Sequence, residues 1–430
     1  MYLLNTTNLT LKSFPSPKAP KDGTPFKGRG SPTPTYAILS HRWEEEAHEE
    51  VLFAEVKSYV EGSKRRNCRG WDKIVESCKV ARSHDIEWIW IDTCSVDKSN
   101  NTEYAEDINS MYKYYARAKE CYAYLWDVEW TPGGRGERLV SVSPHFAGEP
   151  SEWFTRGWTL QELLAPGTPC ESPLGPKSST MTFFDRNWKC IGAKTDPGLC
   201  AEISQHTGID VEYLRHPGIL HQASVAMRLS WAARRDTTKP EDRIYSLMGI
   251  FGVSMPVLYG EGEATAFWKL QMQLMAPGPD AYDQSIFAWK SPNSRAPCGM
   301  LATTLDHFAH SNNVANFGID ADERMLFDIT NEGLSIHVFN GASRAQSANF
   351  QTFNKKETIM LSCTEGNVAR RNAVTIRLMK QGDGCLRRVQ PHELESSPKY
   401  KVEKNGGFLG IIAPGIRRHF YVTQNEYNGA

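Results

Sequence analysis

From residue 36 onward, short apolar runs alternate with segments whose apolar positions recur every three or four residues. Tyr36-Ala37-Ile38-Leu39-Ser40, Glu87-Trp88-Ile89-Trp90-Ile91-Asp92, Cys121-Tyr122-Ala123-Tyr124-Leu125-Trp126 and Met181-Thr182-Phe183-Phe184 are rich in β-branched and aromatic residues. Runs of this length and type predict buried strands. Between them, Trp71, Ile74, Val75 and Cys78 fall on one face of a helix over 71–82. Ile108, Met111, Tyr112 and Tyr115 form the apolar stripe of a second helix, with Asn101 or Thr102 as its N-cap. A short helix at 157–165 is stopped by Pro166. Alternating strands and helices predict an α/β fold with a parallel sheet and flanking helices. A hairpin over the first 14 residues and a proline-rich loop at 15–34 precede this pattern, and a Gly/Pro-containing loop occupies 129–152.

The texture changes twice further on. Residues 200–276 read as helical, with Thr238-Lys239-Pro240-Glu241 matching a capping box and a helix over Gly260–Met275. After 290, Leu334–Val338, Thr358–Leu361, Ala373–Arg377 and His419–Val422 read as strands. The expected layout is an α/β domain over 1–195, a helical extension over 196–289 and a mostly β domain over 290–430. All twelve tryptophans lie at or before Trp289, which sets the tail apart.

In a parallel sheet, ligands bind outside the carboxyl ends of the strands. Ser40, His41, Arg42 and Trp43 follow the first run, and Asp92 ends the second. Arg42 has the geometry to meet a phosphate, or else an ion pair within Glu44–Glu50. Asp92 with Asp97 suits a ribose or magnesium, or else a turn capping the loop. In Ser151–Ala165, Leu160, Leu163 and Leu164 share the face that packs on the sheet. Glu162 points elsewhere, with Trp158 one turn earlier. A concave site would account for both, as would a surface glutamate and an interface tryptophan.

Composition narrows the chemistry. Lys+Arg is 49 and Asp+Glu is 50, against a strongly basic nucleic-acid binder but compatible with one anionic nucleotide. No run is long and apolar enough for a membrane span, and the N-terminus makes a poor signal peptide. The ten cysteines form no CxxC pair and read as reduced thiols of a cytoplasmic protein. No P-loop, GxGxxG fingerprint, GxSxG elbow or HExxH motif occurs, and no metal site is expected. The pair Arg234-Arg235 reads as solvated.

Three ordered motifs carry a resemblance. Tyr36-Ala-Ile-Leu-Ser-His-Arg-Trp43, Trp90-Ile-Asp-Thr-Cys-Ser-Val-Asp97 and Arg156-Gly-Trp-Thr-Leu-Gln-Glu-Leu163 resemble the motifs of the fungal heterokaryon-incompatibility (HET) family. That family is proposed to be related to Toll/interleukin-receptor (TIR) domains, which implies a TIR/flavodoxin-like sheet. By position, Glu162 matches the glutamate that supports NAD cleavage in catalytic TIR domains. Thr159 stands where that helix usually has cysteine, and the 129–152 loop is longer than in a compact TIR domain. The resemblance implies an effector of non-self recognition and regulated cell death. NAD or a related nucleotide would be the substrate, with no further cofactor. Glu162 would be catalytic, and Ser40, His41, Arg42, Trp43, Asp92, Arg156 and Trp158 would line the ligand site. The alternative is a non-catalytic module that signals by assembling with its own kind or with a sensor protein.

Overall fold

The computed structural model describes residues 1–16, 33–44, 46–133, 138–144, 147–167, 180–278, 280–291, 298–316, 327–330, 333–340, 357–366, 372–380, 386–389, 395–397, 401–405, 408–412 and 417–422. Most of the loop expected at 15–34 lies outside the described residues. The chain divides into two compact units. The first comprises Met1–Leu220 and Arg235–Leu258, the second His221–Arg234 and Tyr259–Ala430.

The first unit is an α/β fold around a seven-stranded sheet. Its strands are β1 (Tyr2–Asn5), β2 (Leu11–Ser13), β3 (Tyr36–His41), β4 (Trp88–Ile91), β5 (Glu120–Tyr124), β6 (Thr180–Phe184) and β7 (Cys190–Ala193). The spatial order is β2-β1-β4-β3-β5-β6-β7. The four expected strands β3 to β6 are parallel to one another. Among themselves they run second, first, third, fourth, the flavodoxin-like order whose switch point lies between β3 and β5. The sheet is mixed rather than wholly parallel. The N-terminal hairpin adds antiparallel strands beside β4, and β7 folds back antiparallel on β6.

Helices cover both faces. In chain order they are α1 (Phe53–Ser58), α2 (Arg69–Ser83), α3 (Asp92–Ser95), α4 (Asn101–Arg117), α5 (Thr159–Leu164), α6 (Pro197–Thr207) and α7 (Val211–Arg215). Then α8 (Val225–Ala232) belongs to the second unit, α9 (Asp242–Tyr245) and α10 (Met248–Phe251) return to the first, and α11 (Glu263–Met275) lies in the second. Strand alternation sends Ala37, Leu39, Ile89 and Ile91 into one buried cluster with Trp71, Ile74 and Cys78 of α2. The opposite face carries Trp90, edge-on to Tyr115 and tilted against Tyr114 of α4. A buried aromatic removes roughly 150–250 Å² from water. At about 25 cal/mol per Å² that is roughly 4–6 kcal/mol for a side chain such as Trp90.

Two helix starts differ from expectation. The N-cap of α4 is Asn100, whose side chain accepts from Thr102 and Glu103 backbone N–H groups at 3.2 and 3.3 Å. The capping box at Thr238–Glu241 does not form: α9 starts after Glu241 with no side-chain cap. Asn100 prevails because it alone sits two and three residues before the donors it must reach. The returning segment instead packs by close approach. A Cβ on Gly249 would lie 2.1 Å from Tyr112 Cβ, so only glycine lets α10 sit this near α4.

In the second unit, α8 is capped by Ser224, and Asp283 accepts from the Val225 backbone at 2.7 Å. The expected strands recur as Gly333–Asn340, Glu357–Glu365, Asn372–Lys380 and Arg417–Val422 of an antiparallel eight-stranded sheet. No described helix is long and apolar enough to cross a membrane. The described cysteines are all free thiols.

Candidate functional site

Strand β3 brings two polar residues to the carboxyl edge of the sheet on opposite faces. Ser40 shares the α4 side with Ile38, and His41 shares the α2 side with Leu39. Ser40 is fully buried. Its hydroxyl donates to Glu162 Oε2 at 2.5 Å and accepts from Trp153 Nε1 at 3.0 Å. Trp153 arrives on a single 3-10 turn, Glu152–Thr155, started by Ser151. Glu162 comes from α5, in which every residue is buried. Of the two sequence readings of Glu162, the surface glutamate fails, because its exposure is only 5%. The leucine face of α5 lies in the core as expected, and α5 is packed by α4, by α7 and by α10 of the segment returning at Arg235–Leu258.

That return holds both the start of α5 and the loop before it. Asp236 N–H donates to Thr155 O at 2.7 Å and Gly157 N–H to Asp236 O at 2.9 Å. Arg235 Nη1 donates to Arg156 O at 3.0 Å and to Thr159 Oγ1 at 3.1 Å. The Thr159 hydroxyl in turn donates to Trp153 O at 2.6 Å. Thr159 is therefore spent inside the fold. Arg235 is buried, which corrects its reading as half of a solvated pair; only Arg234 is exposed. At the other end of α5, the buried Lys194 ammonium donates to Leu163 O at 2.9 Å and Pro166 O at 2.7 Å. It thereby satisfies carbonyls that a helix end leaves open.

Asp92 opens α3 straight after β4. Its Oδ2 accepts from Trp43 Nε1 and its Oδ1 from its neighbour Thr93 N–H. The Lys98 ammonium sits 3.6 Å from the centre of the Trp43 ring. His41 Nδ1 is 3.7 Å from Asp92 Oδ1, too far for a hydrogen bond. Neither His41 ring nitrogen finds a hydrogen-bond partner among the described residues. Burial and then the Lys73 charge hold His41 well below its ordinary range, so it is neutral. Asp97 does not join Asp92. It accepts from Ser99 N–H and Oγ–H at 3.0 and 2.6 Å, and so shapes the turn.

Within Glu44–Glu50, Lys73 Nζ lies 3.3 Å from Glu44 and 3.1 Å from Glu50, and Arg69 Nε lies 3.0 Å from Glu44. Arg42 reaches the distant Glu152 at 3.1 Å, its guanidinium 5.7 Å from the Trp126 ring. Burial and then the Arg42 charge depress the Arg156 pKa, so the two guanidiniums bear on one region. Trp43, Asp92, Arg156 and Trp158 are each partly exposed.

The site's electrostatics are set by the two acids. Burial, then the Asp92 charge, pushes the Glu162 carboxyl up to about 8, against the pull of Ser40, Tyr115 and Arg235. Burial pushes Asp92 up to about 6, with Trp43 opposing. Asp92 thus ionises first, and its charge falls on Glu162. At neutral pH the pair holds one proton, chiefly on Glu162. Tyr115, Trp153 and Arg235 belong to the same network, yet sequence reasoning did not assign them. Trp153 lies inside the Ser151–Ala165 segment, and Arg235 reads in the sequence only as half of a solvated pair.

Residues 36–148 match the family model described as heterokaryon incompatibility protein (HET). They form a HET domain. The chain is also 39% identical over 243 residues to vegetative incompatibility protein HET-E-1 of Podospora anserina. That match covers 56% of this chain and 16% of the relative, so the chain corresponds to a small part of the longer protein. No solved structure matches the chain. The family match takes in Ser40, His41, Arg42, Trp43 and Asp92, and ends before α5. Glu162 and Arg235 complete the HET domain's polar network from outside the matched residues.

Proposed function

We propose that this chain is an effector of vegetative incompatibility, the fungal non-self recognition that ends in regulated cell death. We further propose that it acts by cleaving the nicotinamide–ribose bond of NAD or a related nucleotide. The observation that carries the reading is Glu162, a buried acid beside Asp92 at the carboxyl edge of β3 and β4, next to the switch point of the sheet. The HET match and the incompatibility protein among its relatives supply the biological setting.

In this reading the bond between ribose C1′ and the pyridinium nitrogen breaks, and both electrons leave with nicotinamide. The ribosyl cation that remains is stabilised by ionised Glu162. Water adds at C1′ and gives its proton to Asp92, so that NAD and water yield nicotinamide, the ribosylated remainder and a proton. Arg42 and Arg156 meet the diphosphate, Arg42 exchanging its contact with Glu152 for a phosphate oxygen. Trp43 and Trp158 flank the sugar and base, and Ser40 and His41 form the floor. The cationic ring of the substrate favours the ionised form of Glu162, so binding at pH 7 displaces the proton that the empty site holds.

Incubating the purified protein with NAD and following nicotinamide release tests the proposal. Turnover that Glu162→Gln abolishes is expected. No turnover in any oligomeric state, together with unaltered cell killing by Glu162→Gln, overturns it. That second outcome would favour a non-catalytic assembly module acting with its own copies or with a sensor. One observation favours that reading: Arg42 is already neutralised by Glu152 at 3.1 Å.

A further inference from the structure

We propose that Arg235 is a positioning residue of this site: it fixes the start of α5 and supplies the positive charge that faces Glu162. The inference rests on the reading of Glu162 as the reacting carboxylate. It goes beyond it by making residues 235–258 a working part of the HET-containing unit.

The geometry is local and specific. Arg235 is buried, and one of its nitrogens reaches both Arg156 O and Thr159 Oγ1. Thr159 lies three residues before Glu162, on the adjacent turn of α5. The Thr159 hydroxyl passes the constraint to Trp153 O, and the Trp153 indole holds the Ser40 hydroxyl that meets Glu162. Arg235 therefore acts on Glu162 twice, through its charge and through this chain of contacts. The titratable groups bearing on Glu162 come from four elements. They are Asp92 from α3, Tyr115 from α4, Cys121 from β5 and Arg235 from the returning segment. Burial holds Tyr115 and Cys121 neutral. That leaves the negative Asp92 and the positive Arg235 to set the balance.

The test reads Glu162 directly. The infrared carboxyl band is titrated in the full chain, with Glu162→Gln as the baseline. Arg235→Gln should move the Glu162 midpoint up by about one pH unit. Arg235→Lys, which keeps the charge, should restore most of the shift. Thr159→Val, which removes the acceptor but leaves the guanidinium, should move it less and in the same direction. A midpoint unchanged in both Arg235→Gln and Thr159→Val overturns the inference. If Arg235→Gln does not fold, Thr159→Val decides alone. A midpoint that moves while the parent protein releases no nicotinamide keeps the inference and removes the catalytic reading.

Discussion

Replacing Glu162 with glutamine should stabilise the protein, and the gain should grow with pH. Glu162 is 5% exposed and its carboxyl is raised from 4.5 to about 8. An acid whose pKa is higher folded than unfolded favours the folded state most when protonated. That stability is fully present below pH 4.5 and is lost as pH rises to about 8. The slope is about 1.36 kcal/mol per pH unit. Over the window of about 3.5 units the loss approaches 5 kcal/mol, with about 2 kcal/mol already gone at pH 6. Glutamine keeps an acceptor for Ser40 and never ionises. The difference between variant and parent therefore isolates this one group. Urea denaturation at half-unit steps from pH 4.5 to 9 measures it. The curves should coincide near pH 4.5, diverge to pH 8 and run parallel beyond. Water entering beside an ionised Glu162 would shrink the gap, so 5 kcal/mol is an upper limit. A gap that changes by less than about 1 kcal/mol across the range refutes the burial argument.

Three other variants probe the scaffold around that acid. Ser40→Ala leaves the Trp153 indole N–H without its partner in a dry interior, and should lower unfolding free energy by roughly 2 kcal/mol at pH 6. Gly249→Ala pushes a methyl into Tyr112 Cβ and should cost about 3 kcal/mol; because only glycine at 112 removes that Cβ, the losses of Gly249→Ala and Tyr112→Gly should be less than additive in the double variant. Lys73→Met strands buried Glu50 beside Glu44 and should cost about 3 kcal/mol at pH 7. Urea denaturation of variant and parent at pH 7 measures the Lys73→Met loss.

What the sequence makes legible follows the range of the forces involved. Strands β3 to β6 were readable because their apolar runs are local, and the carboxyl-edge rule then pointed to Ser40 and Asp92. The motif around α5 pointed to Glu162. Its burial was not readable, since six residues of helix say nothing of what covers them. Part of the cover is α10 in the returning segment Arg235–Leu258, more than seventy residues later. Arg235 looked solvated because a charged pair in isolation usually is. Only its contacts with Arg156 O and Thr159 reveal otherwise. Arg42 shows the same limit in reverse. Its nearest acids in sequence are the Glu44–Glu50 run, yet Glu152, more than a hundred residues on, is an ion-pair partner at 3.1 Å.

Stability alone gives no reason for a glutamic acid at position 162. A glutamine there would accept from Ser40 equally well and would spare the fold its loss above pH 4.5. A buried carboxyl raised to about 8 beside a partly exposed one raised to about 6 is thus the costlier solution to a purely structural problem. Such a pair is economical only if one member must change charge while the other holds its own, as when a cationic group enters beside them. An assembly module imposes no such demand on buried side chains. The cost of keeping these acids is the physical argument for chemistry at this edge of the sheet, and it stands on Glu162 and Asp92 together rather than on either alone.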